Sequence, residues 1–519
     1  MNPVTLYDTT LRDGTQGEGI SFSVLDKIRV AERLDAFGIH YIEGGWPGAN
    51  PKDIEFFEEA RRRRWNHAKI AAFGRTRPAG TTAAQDPMTQ QLLNAGSPVV
   101  TIFGKSSLLH VHDILKVSEI ENREMISDTV RFFKQNHREM IYDAEHFFDG
   151  FKENPDHALS TLAAARDAGA DYLVLCDTNG GTLPDEITSI LRVVREAMGA
   201  EARIGVHTHN DGGLAVANAL AAVREGACQI QGTINGYGER TGNCNLVTVI
   251  PNLVLKMNLP VVPKLSRLRA LSLFVDELAN LPHDIRAPFV GSTAFSHKAG
   301  IHANAVMKLA KSYEHIEPES VGNVQHILIS EHAGQSNILM KLADLGYNVT
   351  KGSPEVKQIV EELKRLENEG YEFEAAEASF ELLIRKVLRK NEPLFELEEY
   401  HCSYRFHGTH AYENCEATVK LRVNGVPEYT VAEGDGPVNA LDAALRKALR
   451  PFYPRIDDIK LQDYKVRIID GQKGTDARTR VFIVSSDGQN SWGTVGVSDN
   501  IIQASWLALV DSFEYNLHS

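Results

Sequence analysis

The sequence predicts an α/β protein: a (β/α)8 TIM barrel, then small helical subdomains, then a C-terminal α+β domain. Three observations predict it. Over the first half of the chain, short β-branched runs alternate with amphipathic helical stretches, which marks a parallel sheet joined by crossover helices. The strand candidates there number eight, the count at which such a sheet closes into a barrel. Beyond about residue 395 strands return in runs, with helices after them instead of between them.

The first strand is VTLYD (residues 4–8). It is followed by HYIEGG (40–45), KIAAFG (69–74), PVVTIFG (98–104), EMIYDAEHF (139–147), DYLVLCDT (171–178), RIGVHTHND (203–211) and CQIQGTING (228–236). Between them, SVLDKIRVAERLDAFG, ALSTLAAARDAG, DEITSILRVVREAMG and GLAVANALAAVREG carry apolar residues at helical spacing. Each ends at or near a glycine, the residue that most readily stops a helix. The barrel is expected to occupy residues 1–282. Residues 283–394 are charged and helical, with KQIVEELKRLENEGYEFEAAEASFELLIRKVLRK as a long amphipathic tract. In residues 395–519, NCEATVKLRVNGVPEYTVAEG holds an Asn424-Gly425 hairpin signal and precedes the helix PVNALDAALRKAL. YKVRIIDGQKGTDARTRVFIVSSDG then precedes DNIIQASWLALVDSF, so this part reads as a weak internal repeat.

At 519 residues the chain is long enough for two to four domains. Its 43% hydrophobic and 24% charged residues are those of an ordinary globular protein. A net charge of −14 argues against nucleic acid as a partner, since that needs a basic face. The basic run Arg61–Arg64 follows Glu55, Glu58 and Glu59 at helical spacing and reads as a solvated, ion-paired face. Cys176, Cys228, Cys244, Cys402 and Cys415 are odd in number and lack any CxxC, which fits reduced thiols. No apolar stretch reaches the ~18 residues of a membrane span, so a cytoplasmic protein without membrane contact is expected.

The segment LYDTTLRDGTQGEG runs a strand into Asp8, Arg12 and Asp13, charges that are costly to bury unless they work at the open end of a sheet. Glu43, Glu145, Asp177, Thr178, His207, His209 and Asn235 also fall at strand ends, which a barrel gathers on one face. In VHTHND, residues two apart on a strand face the same way, so His207 and His209 can meet one ion while Thr208 turns away. Asp13 can add a carboxylate, and a mixed nitrogen and oxygen set suits zinc, manganese, iron or cobalt. Asp211 either joins this set or caps the next helix. In GTINGYGERTGNCN, the spacing of Gly236, Gly238 and Gly242 is not that of a dinucleotide loop. Those glycines let the backbone approach the metal site, with Asn243 offering its side-chain carbonyl.

DTTLRDGTQ, HTHND, NGYGERTGN and SHKAGIHANAV, in that order, resemble the metal-dependent acyl-CoA condensing enzymes, the family that includes 2-isopropylmalate, homocitrate and citramalate synthases. The resemblance covers essentially the whole chain. The opening, with IEGGWPG where isopropylmalate synthases more often have an IEAGFP-type stretch, is most similar to the subgroup that condenses acetyl-CoA with pyruvate to (R)-citramalate on an isoleucine route. The resemblance implies a divalent metal (Mn, Zn, Mg or Co) on Asp13, His207, His209 and Asn243. It places Arg12 at the keto-acid carbonyl oxygen and Thr178 at the carboxylate, with Gln16 also at the substrate. Thr178 lies in CDTNGG, which departs from the commoner DTxG. Glu145, in YDAEHF instead of an EDA pattern, falls at the family's strand-five glutamate, and His302 and Tyr313 match a histidine and tyrosine delivered from the helical subdomain. For the C-terminal domain it implies a regulatory role, with a branched-chain amino acid, isoleucine, bound at a homodimer interface; the plainer alternative is a dimerisation module without ligand.

The residues suit this chemistry in their own right. A divalent ion makes the keto carbon of an α-keto acid electrophilic, and Arg12 adds positive charge where an alkoxide develops. The weakly acidic methyl of acetyl-CoA calls for a base of tuned pKa, which points to His302 with Glu145. Trp46, ending the second strand, is expected to narrow the keto-acid pocket toward a methyl group. The competing readings are a 2-isopropylmalate synthase using 2-oxoisovalerate, a related lyase, which would lack the C-terminal domain, and a catalytically inactive metal-containing amino-acid sensor. Intact Arg12, Asp13, His207, His209 and His302 weigh against the last.

Overall fold

A computed structural model describes residues 3–297, 309–327, 342, 353–373, 375–388, 393–405, 414–469 and 476–518. The chain divides into two compact units, Met1–Leu328 and Ile329–Ser519.

In the first unit all eight expected strands form: β1 (Thr5–Asp8), β2 (Tyr41–Gly45), β3 (Lys69–Arg75), β4 (Val99–Lys105), β5 (Glu139–Glu145), β6 (Tyr172–Asp177), β7 (Ile204–Thr208) and β8 (Gln229–Gly232). They close in sequence order into a parallel barrel, with β8 returning to β1 through Thr5↔Gln229 to Asp8↔Gly232. Period-two alternation decides what each strand buries. One set of side chains, Tyr7, Tyr41, Ala71, Val99, Ile141, Tyr172, Val174, Cys176 and Cys228, packs together as one core. Tyr41 stacks on Tyr7 and meets Tyr172 edge-on, both at 6.0 Å between ring centres. The alternate residues, among them Leu6, Ile42, Val100, Met140, Leu173, Val206 and Ile230, are buried as well, as strands covered by helices require.

Local chemistry starts and stops the helices. Ser23 and Asp26 form a reciprocal cap on the helix Val24–Phe37, which ends at Gly38 with φ 103°. Asn50, Asp86, Ser118 and Asn154 each accept a backbone N–H at the start of a later helix. Arg62 and Arg63 bond Glu59, and Arg63 also bonds Glu32, so the basic run is the ion-paired face its spacing predicts.

In the second unit the amphipathic tract forms two helices, Pro354–Glu369 and Glu377–Val387, parted at Gly370 with φ 102°. Two antiparallel sheets follow, β9 (Glu396–Arg405), β10 (Asn414–Val423) and β11 (Val426–Gly434), then β12 (Lys460–Ile468), β13 (Thr479–Ser486) and β14 (Ser491–Ser498). Each is succeeded by a helix, Pro437–Leu449 and Ile501–Leu517, so the repeat seen in the sequence is a three-strand-and-helix unit made twice. Asn424 and Gly425, at φ 51° and 81°, make the expected hairpin turn. Val419 and Leu421 pack with Leu441, Leu445, Trp492, Trp506 and Phe513 in a shared core. All five cysteines are free thiols, and among the described residues no helix is long and apolar enough to cross a membrane.

Candidate active site

The turn after β1 is built by its first acid. Asp8 accepts from the backbone N–H and hydroxyl of Thr10, at 3.0 and 2.9 Å, and Thr10 Oγ1 accepts from Ile234 N–H at 2.8 Å. Burial pushes the Asp8 carboxyl up to about 7. Asp8 is thus a turn-closing group, and of the three charges in this segment only Arg12 and Asp13 reach the barrel mouth. Asp177 and Asn235 are structural in the same sense. Asp177 accepts from Thr182 at 2.8 Å, and Asn235, held at φ 60°, bonds Ser272 O and Asp276 on the helix Leu268–Leu278.

Arg12 is fixed from three sides. Its Nε bonds Glu43, its guanidinium lies 3.7 Å from the centre of the Phe73 ring, and Nη1 sits 3.6 Å from Asp13 Oδ2. Glu43 is fully buried in the middle of β2 and also accepts from Tyr7 OH and from Thr9 Oγ1. Burial works against the Arg12 charge, but Glu43 and Asp13 more than offset it.

Asp13, His207 and His209 offer ligand atoms that all lie within 4.8 Å of one another, and all three side chains are buried. His207 Nε2 is 3.2 Å from His209 Nε2 and 3.4 Å from Asp13 Oδ2, while Thr208 faces away and donates to Ala215 O. For Asp13, burial is outweighed by Arg12 and His207, which hold its carboxyl well below the usual range. For His207, burial is outweighed by Asp13, so its pKa rises; for His209, burial and the neighbouring His207 bring it down to about 4. The backbone of Asn243 pairs with that of His209, while its side chain spends its NH2 on Tyr237 O at 3.0 Å and leaves Oδ1 buried without a hydrogen-bond partner among the described residues. Two imidazole nitrogens facing each other beside a carboxylate are costly as they stand, and one divalent cation among them would satisfy all three, with the orphaned amide oxygen of the neighbouring Asn243 as a further donor of the right chemistry. The residues present therefore fit such an ion.

The glycines of this loop make the approach possible. Gly242 has φ 93°, and a Cβ there would lie 1.9 Å from Gly236 O; at Gly238, φ 148°, it would lie 2.2 Å from Asn243 Nδ2. Gly238→Ala is therefore expected to cost about 1–3 kcal/mol of stability through backbone strain and to push the Asn243 amide out of place. Metal content after gel filtration, beside a denaturant titration, checks this; a variant that retains as much metal as the parent refutes it.

Asp211 does neither of the things its position suggests. At the start of the helix Ala215–Arg224 it is Asn210, not Asp211, whose side chain accepts from Ala215 N–H, at 3.3 Å. Asp211 instead grips Arg240 with both oxygens, at 2.8 and 2.9 Å, and Arg240 also donates to Thr178 O at 2.8 Å. The loops after β6, β7 and β8 are locked together by this arginine, which the sequence reading passed over.

Glu145 ends β5, half-buried and ion-paired to Lys105, its register partner at the end of β4. Lys105 was legible only through the alternation that carries Thr101 and Phe103 to the same face. Thr178 Oγ1 accepts from His146 N–H at 2.8 Å. His146, held at φ 56°, stacks on His110 with ring centres 3.9 Å apart. Trp46 stands edge-on to Phe73 and Phe103, at 5.9 and 5.8 Å, and so belongs to the aromatic wall against which Arg12 rests. Its backbone N–H bonds Asp53, whose other oxygen pairs with buried Lys27. Gln16 is exposed at the end of the one-turn helix Gly14–Gln16, and Tyr313 is 48% exposed just beyond Ala310–Ser312. His302 lies outside the described residues.

Residues 3–275 match the HMGL-like family, residues 289–371 the homocitrate synthase post-HMGL domain and residues 374–517 the LeuA allosteric (dimerisation) domain. Barrel and mouth accordingly define an enzyme of the HMGL-like class. The chain is 53% identical to the (R)-citramalate synthase of Aquifex aeolicus over 99% of its length and 98% of that protein. It is 51% identical to that of Geobacter sulfurreducens over 100% of its length and 98% of that protein. The 2-isopropylmalate synthase of Methanocaldococcus jannaschii stands further off, at 31% over 98% of this chain and 93% of its own. The chain belongs to the (R)-citramalate synthase family.

Proposed function

We infer that the protein condenses acetyl-CoA with pyruvate and hydrolyses the resulting thioester, releasing (R)-citramalate and CoA for isoleucine biosynthesis. The full-length likeness to (R)-citramalate synthases carries this reading, and the mouth of the barrel supports its chemistry. Asp13, His207, His209 and Asn243 would hold a divalent metal, one of Mn, Zn, Mg or Co. Bound there, such an ion supplies Lewis-acid polarisation of the keto group.

Arg12 is aimed at the keto oxygen and stabilises the alkoxide as it forms, with no reorganisation needed because Glu43 and Phe73 already hold it. Thr178 Oγ1 already accepts from His146 N–H, so its own proton is available to the keto-acid carboxylate. Glu145 with His302 takes the proton from the acetyl methyl, and Lys105 holds the Glu145 side chain at the mouth. Gln16 completes the substrate contacts, and Tyr313 acts beside His302 as a further catalytic group. We assign residues 1–282 to the catalytic barrel, 283–394 to a linker that contributes to the site, and 395–519 to a regulatory domain that forms a homodimer and takes isoleucine. The protein works in the cytoplasm.

The Trp46–Phe73–Phe103 wall beside Arg12 favours a methyl over an isopropyl substituent. Thiol release from acetyl-CoA, measured with pyruvate and 2-oxoisovalerate side by side for the parent and Trp46→Ala, tests both levels of the reading. The parent is expected to prefer pyruvate by about 10²-fold, and the variant to gain roughly tenfold with 2-oxoisovalerate. A parent equally fast with both acids overturns the function, and a variant without any gain overturns the wall.

A further inference from the structure

Beneath the two imidazoles a hydrogen-bond chain crosses the interior of the barrel. Gln231 on β8 is the register partner of His207 on β7, and its Oε1 lies 2.9 Å from His207 Nδ1. Its Nε2 donates at 2.9 Å to Oδ1 of Asp143, which stands on β5, with β6 and β7 intervening in the sheet. All three side chains are buried, His207 at 5%, Asp143 at 3% and Gln231 at 1% exposure. None of the chemistry described above uses Asp143 or Gln231.

We propose that Asp143 and Gln231 are a positioning pair that sets His207 in the tautomer able to bind a divalent cation. The logic is that of donors and acceptors. A glutamine amide has one end that only accepts and one that only donates, and a carboxylate only accepts. Burial pushes the Asp143 carboxyl up to about 7; in its ionised form it draws the NH2 of Gln231 toward itself, the arrangement the 2.9 Å contact shows, and the carbonyl is left facing His207. A carbonyl accepts only, so His207 Nδ1 must carry its hydrogen, and the lone pair of the neutral ring stands on Nε2. Nε2 is the atom that meets His209 Nε2 at 3.2 Å and Asp13 Oδ2 at 3.4 Å. With the amide reversed, its NH2 would meet Nδ1, the hydrogen would move to Nε2, and the ring would turn a donor toward the place a cation needs a ligand. The inference rests on reading Asp13, His207, His209 and Asn243 as metal ligands, and it assigns the supporting residues behind the first of the imidazoles.

Asp143→Asn is the sharpest test, because an asparagine offers Gln231 an acceptor or a donor with equal ease and so removes the preference while keeping the shape. Metal-stripped full-length parent, Asp143→Asn and Gln231→Met are titrated calorimetrically with Mn²⁺ and, separately, followed by the absorption of bound Co²⁺. The parent is expected to bind one ion per chain, and both variants to bind about 10–100-fold more weakly with an altered Co²⁺ spectrum. Thermal unfolding of the metal-free proteins is followed in parallel, since a pair that served packing alone would lower stability and leave the affinity of the folded protein unchanged. Variants that bind as tightly as a metal-binding parent overturn the positioning role only. A parent that binds no ion overturns the ligand reading and this inference with it. Should Gln231→Met fail to fold, Asp143→Asn decides alone.

Discussion

Replacing both imidazoles of the seventh strand, His207→Ala with His209→Ala, is expected to lower turnover by at least ~10³-fold, about 4 kcal/mol of transition-state stabilisation. The size follows from how little would remain. Asp13 and Asn243 would then be the only ligands, each sharing its polar atoms with Arg12 or Tyr237. Neither alanine needs a special backbone, and each removes a buried ring whose partners are themselves polar, so the barrel is expected to persist while its metal content falls to nothing. Chelator treatment of the parent should reproduce the loss, and added divalent ion should restore the parent and not the double variant. Protons act in the same direction. His207 is held above the ordinary imidazole value, so as pH falls it is the first of the pair to be protonated, and metal is released as acid competes for the ring. A double variant with full turnover and full metal content would sink the proposed site.

Arg12→Gln is expected to cost turnover about 10²–10³-fold with pyruvate, the loss seen when a preorganised group that meets developing charge is removed. Stability falls as well. Glu43, with no exposure at all, would keep only Tyr7 and Thr9 as partners, and a buried carboxylate robbed of its cation costs about 3–5 kcal/mol. Arg12→Lys separates the two effects. An ammonium returns charge to Glu43 and so recovers part of the stability, but it cannot lie flat on Phe73 while presenting a fork toward both Glu43 and the substrate. The lysine variant should therefore approach the parent in a denaturant titration and remain slow in turnover. Parent-like rates in the lysine variant would show that Arg12 acts only as a counter-charge for Glu43.

The legible parts of the site share one property: each is written within a few residues. His207 and His209 are two apart on a strand, Arg12 and Asp13 follow the first strand directly, and the glycines around Asn243 announce a close backbone approach. The misread parts share the opposite property. Asp211 had a local explanation as a helix cap, yet its partner is Arg240, 29 positions on. Asp8, Asp177 and Asn235 stand at strand ends like the proposed site residues, and only the direction of their hydrogen bonds, back into turns and a neighbouring helix, separates them.

By itself the sequence determined the eight strands, the helices between them, the repeated strand-and-helix units near the C-terminus and the pair of imidazoles on one face, because periodicity and capping are properties of neighbouring residues. Tertiary structure alone decided which charges face the mouth, that Lys105 meets Glu145, and that Gln231 reaches Asp143 across 88 positions of chain. The Lys105 pairing exists only once β4 and β5 have paired, the Gln231 contact only once the sheet has closed. Closure sets the register between distant strands, and a shift of one residue would turn each of these side chains to the opposite face of the sheet.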